Sequence, residues 1–274
     1  MIRDITIGQY YKAKSVIHKL DPRLKLVCTL LFLISLFLTR SVMTYLLATL
    51  WLIIVIKTSK VPFRFVIRGL KAIVILLLVT ALLNLFMLKG GDVIVRIGKL
   101  TITESGLATT IYLAIRLIYL IIGSSLMTLT TTPTALTDGI EAFLGPLKRI
   151  HVPVHEIAMM MSIALRFIPI LLEETDKIMK AQLARGADFE NGNIFHRVKG
   201  MVPILVPLFV SAFRRANDLA LAMEARCYHG GDGRTRMKPL HYQKRDYIAY
   251  AVMGLYMVLS FCGGRWLPLH FWVF

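Results

Sequence analysis

The stretch LATTIYLAIRLIYLIIGSSLMTL, residues 107–129, carries a single charged side chain, Arg116. A run of that length and apolarity can cross the hydrocarbon core of a bilayer as one helix. Four further runs read the same way, roughly 25–39, 42–56, 70–88 and 246–262. The first two are near the lower limit for spanning. The tight polar turn Thr39-Arg40-Ser41 between them makes them a hairpin. A soluble domain does not bury this much apolar surface: 56% of the 274 residues are hydrophobic and the mean hydropathy is +0.65. The expected fold is an all-α membrane protein with about five transmembrane helices.

The net charge of +17 does not by itself identify a partner, because its placement carries the information. Twenty-six of the 33 Lys and Arg residues fall in segments 1–24, 57–71 and 130–246, against five in the alternate loops and the C-terminal tail. The positive-inside rule then places the N-terminus in the cytoplasm and the C-terminus outside. Nucleic acid is not an expected partner, since the cations form no compact patch with interleaved aromatics. No cleavable signal peptide is visible in residues 1–24, which have five cations and no apolar core. Cys28, Cys227 and Cys262 are far apart and form no CxxC pair, so they read as packing cysteines.

The expected organisation is a membrane bundle over 1–129, cytoplasmic coupling helices over 130–245, and a last span with an extracellular tail over 246–274. The apolar stretches 157–172 and 201–213 are read as lying along the membrane face or packing on other helices. If both crossed the bilayer, Lys177, Lys180, Arg185, Arg197 and Lys199 would lie outside, against the charge rule.

Residues 154–186 have helical periodicity, with Ile157, Met160, Ala164, Phe167 and Leu171 at three- and four-residue steps. Pro153 suits the start of that helix and Gly186 its left-handed end. A second arm runs from Phe195 to Met223, with Pro203 and Pro207 expected to bend it. Each arm is expected to end just after an Ala-Arg-small triplet, Ala184-Arg185-Gly186 and Ala225-Arg226-Cys227. One such triplet is accounted for by an arginine complementing a helix dipole. Two point to docking: small neighbours let a partner approach, and the guanidinium fork reaches its acceptors.

Other chemistries lack their signatures. GxxxxGK[ST] is absent, so the chain has no P-loop of its own, and GxSxG is absent too. His151 and His155 are separated by Pro153, which disfavours the single helix needed to present both to a metal. No catalytic residue and no metal site is expected.

Several stretches together resemble the transmembrane T component of energy-coupling factor (ECF) transporters, the EcfT/CbiQ-like family of ABC-type importers. Leu20-Asp21-Pro22-Arg23-Leu24-Lys25-Leu26 is similar to the family's N-terminal motif. Thr131-Thr132-Pro133 and Pro146-Leu147 resemble the start and end of its first coupling segment. Ala164-Leu165-Arg166-Phe167-Ile168-Pro169, Glu173-Glu174 and Ala181 to Gly186 follow its second coupling helix, and Ala222-Met223-Glu224-Ala225-Arg226 closes the third. Cys227 departs from the pattern, where glycine or serine is usual.

The resemblance implies a non-catalytic subunit in a bacterial plasma membrane. Its partners would be two ABC ATPases, as a homodimer or heterodimer, which use ATP and Mg. A small substrate-binding S component, or several interchangeable ones, would complete a vitamin or micronutrient importer. Asp21, Pro22, Arg23, Pro133, Arg166 and Pro169 would be structural positions, with the two triplets as ATPase-docking sites. The rival reading is a stand-alone secondary transporter or channel. That reading would need functional polar groups at membrane depth, where the sequence offers Asn84, Arg116, Ser124 and Ser125.

Overall fold

A computed structural model describes residues 10–38, 41–71, 73–87, 93–97, 100–187, 194–230 and 239–266. Thr39, Arg40 and the tail beyond Trp266, used in the reading above, lie outside the described residues, as do Lys89, Asn191, Asn193 and Gly231. The chain divides into two compact units, one of Gly8–Ile140 with Leu240–Phe274 and one centred on Glu141–Pro239.

The first unit is a helical bundle. Helices α1 (Pro22–Leu38), α2 (Val42–Ser59), α3 (Phe63–Lys71), α4 (Val74–Met87), α5 (Glu104–Thr130) and α9 (Lys244–Trp266) form it, and α6 (Pro133–Phe143) begins in it. Its centre is dry: Phe32 and Leu36 of α1, Ala48 and Leu52 of α2, Val66 of α3, Leu126 and Leu129 of α5, and Met253 and Tyr256 of α9 form one buried cluster. The outside is as apolar as the inside, with Ile75 77% and Leu78 64% exposed. Water would not tolerate such a surface, and lipid does. The fold is that of an all-α membrane protein.

Among the described residues, four helices are long and apolar enough to cross a membrane: Val42–Ser59, Gly106–Thr130, Val154–Ala184 and Lys244–Gly263. The expected span 70–88 is instead a pair, Phe63–Lys71 and Val74–Leu85, bent by 58°. The segment read as a basic loop after span two is therefore largely helix α3. The apolar-run reading missed it because its residues, FRFVIRGLK, alternate cations with apolar groups. Helix α1 has 17 residues, about 25 Å of rise. A second feature not read from sequence is the antiparallel hairpin β1 (Val93–Ile97) and β2 (Leu100–Thr103), which precedes α5. Thr103 then caps α5, its hydroxyl accepting from the Gly106 amide.

Arg116, the lone charge inside a span, is held within the bundle. Its Nε donates to the Tyr45 hydroxyl at 3.0 Å, and its guanidinium lies 5.7 Å from the centre of the Phe37 ring. Asn84 donates to the Thr80 carbonyl one turn back. Both are structural uses of polar groups at membrane depth.

In the second unit, α7 (Val154–Ala184) and α8 (Ile194–Glu224) are 31-residue helices. Before α7, a 3₁₀ turn (Gly145–Ile150) ends with His151 in the left-handed region. His155 Nδ1 lies 3.0 Å from Glu141 Oε1, so this histidine faces a carboxylate rather than His151. Among the described residues no three His, Cys, Asp or Glu side chains group to hold a metal ion.

Candidate docking surface

The two triplets close α7 and α8 as caps, with Gly186 in the left-handed position expected of it. Helix α7 stops at Ala184, and Arg185 is its C-cap. The Gly186 amide donates to the Leu183 carbonyl at 3.0 Å and the Ala187 amide to Gln182 at 3.0 Å, with Gly186 at φ +85°. This is a Schellman motif, which satisfies carbonyls that a helix end leaves unpaired. Helix α8 stops at Glu224 and repeats the same pattern. The Cys227 amide donates to Glu224 at 2.8 Å and the Tyr228 amide to Met223 at 3.1 Å, with Cys227 at φ +56°.

The shared signature therefore has a local cause. Alanine keeps helix, arginine places a cation against the negative end of the dipole, and the third residue must turn left-handed. Cysteine adopts that conformation against the clash of its Cβ, at a cost of order 1–2 kcal/mol that glycine does not incur. The same geometry leaves all six residues exposed. Among the described residues, neither Arg185 nor Arg226 makes an ion pair or a side-chain hydrogen bond.

Helices α7 and α8 lie antiparallel. Arg215 Nη2 sits 2.8 Å from Glu174 Oε2, and Gln182 Nε2 donates to the Pro203 carbonyl at 3.3 Å. The second bond repairs a defect. Pro207 has no N–H to donate to the carbonyl four residues back, and Gln182 supplies the missing donor. Gln182 belongs to the same AQLARG stretch as the first triplet, so its place there has a reason the sequence pattern did not show.

At the other end of the pair, Met159, Ile163 and Arg166 of α7, Met223 of α8, and Arg226 and His229 beyond it line a cleft of about 760 Å³. Arg166 and Arg226, expected in separate roles, are brought to one cleft. The antiparallel arrangement sends Arg185 to the opposite end. Arg226 lies beside residues some 20 positions before Arg185 on α7, so the two arginines stand roughly 30 Å apart along the helix axis.

The Asp21-Pro22-Arg23 motif lies in the bundle, in a plate of hydrogen-bonded helix ends. Pro22 opens α1 and Asp21 Oδ1 accepts from the Arg23 amide at 2.9 Å, as an N-cap does. The Asp21 amide in turn donates to Asp246 Oδ1 at 3.0 Å, and Asp246 Oδ2 accepts from Gln243, the residue before α9, at 2.7 Å. One buried carboxylate thus ties the starts of α1 and α9 together. Lys25 joins α5 to the plate, donating to the Thr130 carbonyl at 2.8 Å. The Arg23 guanidinium lies 5.8 Å from the centre of the Tyr242 ring.

Beneath the plate, His18 Nε2 faces the Tyr11 carbonyl at 2.9 Å, which assigns the proton to Nε2 and leaves Nδ1 to accept from Ser15. Burial pushes the His18 pKa below its usual value, and the nearby Lys25 charge adds to that; the Tyr11 bond opposes it. Pro133 is the first residue of α6, where the Thr132 hydroxyl accepts from the Ala135 amide. Pro169 lies inside α7. Asp246 stands at the first position of the last apolar run. Its partner is 225 positions away, and no local pattern could have named it.

Residues 13–238 match the family described as CbiQ, cobalt transport protein. The chain is 53% identical over 267 residues to the energy-coupling factor transporter transmembrane protein EcfT of Clostridium kluyveri, covering 97% of this chain and 99% of that one. It is 54% identical over 257 residues to the EcfT of Ruminiclostridium cellulolyticum, covering 94% and 96%. To the EcfT of Bacillus subtilis it is 51% identical over 246 residues, covering 90% and 93%. With an apolar helical bundle, two antiparallel helices closed by matching arginine caps, and relatives aligned almost end to end, the chain belongs to the CbiQ/EcfT family and is a transmembrane component of an ECF transporter.

Proposed function

We propose that the chain is the energy-coupling scaffold of its importer. It has no catalytic role of its own: two ABC ATPases bind and hydrolyse ATP with Mg, and a small membrane S component carries the vitamin or micronutrient. Closure of the ATPase pair moves α7 and α8, and the movement releases substrate from the S component. The observation that supports this reading most directly is the pair of matching caps. Arg185 and Arg226 are exposed, without partners among the described residues, and held at opposite ends of one antiparallel pair. Two equal sites roughly 30 Å apart suit a partner that is itself a dimer, with one cap per ATPase.

The test is the double variant Arg185→Glu, Arg226→Glu. It presents carboxylates to sockets shaped for cations, so neither ATPase is recovered with the chain and uptake is lost, while the protein stays in the membrane. Either single change weakens recovery without abolishing it, because the remaining cap holds the partner at high effective concentration. Recovery of both ATPases at wild-type stoichiometry with the double variant would refute the docking role.

In this reading the N-terminus and the α7–α8 pair lie in the cytoplasm and the C-terminus outside, as the distribution of cations along the chain suggests. Helix α7 has the length and apolarity of a span. Its last third argues for the aqueous side, with Glu173, Glu174, Asp176, Lys177 and Lys180 in one run. Single cysteines at Asn191 or Asn193, in a chain otherwise free of cysteine, resist an impermeant thiol reagent in intact cells. Ready labelling from outside would overturn this topology. A stand-alone channel or secondary transporter gains nothing from Arg116, whose guanidinium is engaged by Tyr45 and Phe37.

A further inference from the structure

Within the bundle, α1, α2, α5 and α9 do not close fully on one another. They leave a slot of about 360 Å³ with an almost wholly apolar lining. Its depth runs from the helix ends at Thr58, Thr130 and Arg245 to Phe32, Trp51 and Val252. Over α1 this is the distance from Leu24 to Phe32, about 12 Å of rise. Gly123 keeps the slot's inner wall open, since a Cβ there would meet the Phe32 ring at 2.9 Å.

The charges at the mouth are unevenly used. Lys25 donates to two backbone carbonyls, those of Thr130 and His18. The carboxylates of Asp21 and Asp246 accept from the amides of Arg23, Gln243 and Asp21. Arg23 and Arg245 are left over: the Nε of each is fully buried and has no acceptor among the described residues, and of the two only Arg245 lines the slot. A buried, unpartnered guanidinium donor calls for an acceptor from outside the chain.

We propose that this slot holds one acyl chain of an anionic phospholipid, whose phosphate accepts from Arg245. The occupant follows from the two halves of the site. The apolar depth fits a hydrocarbon tail, the mouth supplies a cation with free donors at the level of the helix ends, and lipid is the medium in which the bundle stands. Such a lipid seals the gap between α1 and α9 beneath the Asp21–Asp246 plate. It stands independently of ATPase docking, which involves the other unit of the chain.

Trp51 lines the slot and reports on it directly. In the full-length chain with Trp266→Phe and Trp272→Phe, Trp51 is the sole tryptophan. The chain is placed in phosphatidylcholine vesicles doped with dibrominated phosphatidylglycerol or with dibrominated phosphatidylcholine, and quenching is titrated. The anionic lipid quenches Trp51 at about fivefold lower mole fraction, the size expected for one arginine facing an anionic headgroup. Arg245→Gln removes that preference, and Lys57→Gln, an exposed cation at the end of the same α2 helix, keeps it. Ala249→Phe fills the slot and lowers quenching by both lipids, so the test survives should Arg245→Gln fail to fold. Equal quenching by the two headgroups, a preference that persists in Arg245→Gln, or undiminished quenching in Ala249→Phe would each overturn the proposal.

Discussion

The bundle and the α7–α8 pair are built from similarly apolar helices, yet they spend that apolarity differently. In the bundle, Leu24, Leu36, Leu129 and Met253 are at most 2% exposed and touch partners from several helices. In the pair, Phe209, Phe213 and Leu221 are 66%, 56% and 64% exposed, and Val154, Ala158 and Ile204 are the only buried hydrophobic residues among those described in its two helices. Two helices cannot enclose a core, because each buries only the stripe that faces the other. The bundle is therefore a structure complete in itself, and the pair is one whose remaining faces await lipid or protein.

This contrast can be broken or sharpened by substitution. The largest effect belongs to the bundle core. Leu129→Ala removes packing from the buried cluster where α5 meets α1 and α3, and lowers stability of the purified chain by about 2–5 kcal/mol. Phe209→Ala removes a larger side chain from α8 and changes stability by less than about 0.5 kcal/mol. Both are read from unfolding midpoints in one detergent. Equal losses would mean that the α8 face is covered within the chain, against the exposure described above.

Next in size is the plate. Asp246→Ala leaves the buried amide of Asp21 without its acceptor and uncaps α9, a loss of about 1–3 kcal/mol. Asp21→Asn keeps an oxygen for the Arg23 amide and costs a few tenths of a kcal/mol, with uptake largely retained. Complete loss of transport in Asp21→Asn with normal assembly would give that carboxylate an active role instead of a structural one.

The smallest effect separates the two caps. Cys227→Gly relieves a left-handed cysteine and stabilises by about 1 kcal/mol, whereas Gly186→Ala creates the same strain and destabilises by about the same amount. Neither change touches an arginine, so ATPase recovery stays near wild type in both. Opposite signs in thermal melts test the shared cap geometry directly.

Much of this molecule was legible along the chain. Apolar runs and the placement of cations carry the membrane class, because the bilayer imposes length and charge rules that act locally on the sequence. The ends of α7 and α8 were nearly legible, since a cap depends on a few consecutive residues. The bend within the expected span 70–88 and helix α3 were not, because Phe63–Lys71 mixes cations with apolar residues and hides from a search for greasy runs.

Other features arise only when distant segments meet. Asp21 reads as a cap from its neighbours, but its tie to Asp246 spans 225 positions. Gln182 reads as an ordinary helical residue until the antiparallel packing sets it against the carbonyl that Pro207 leaves without a donor. Arg166 and Arg226 share a cleft because two helices run in opposite directions. Local rules of solubility and capping determine which segments are helices and where they end. Which polar group satisfies which is settled by packing, since a buried donor takes whatever acceptor the fold brings within 3 Å or so.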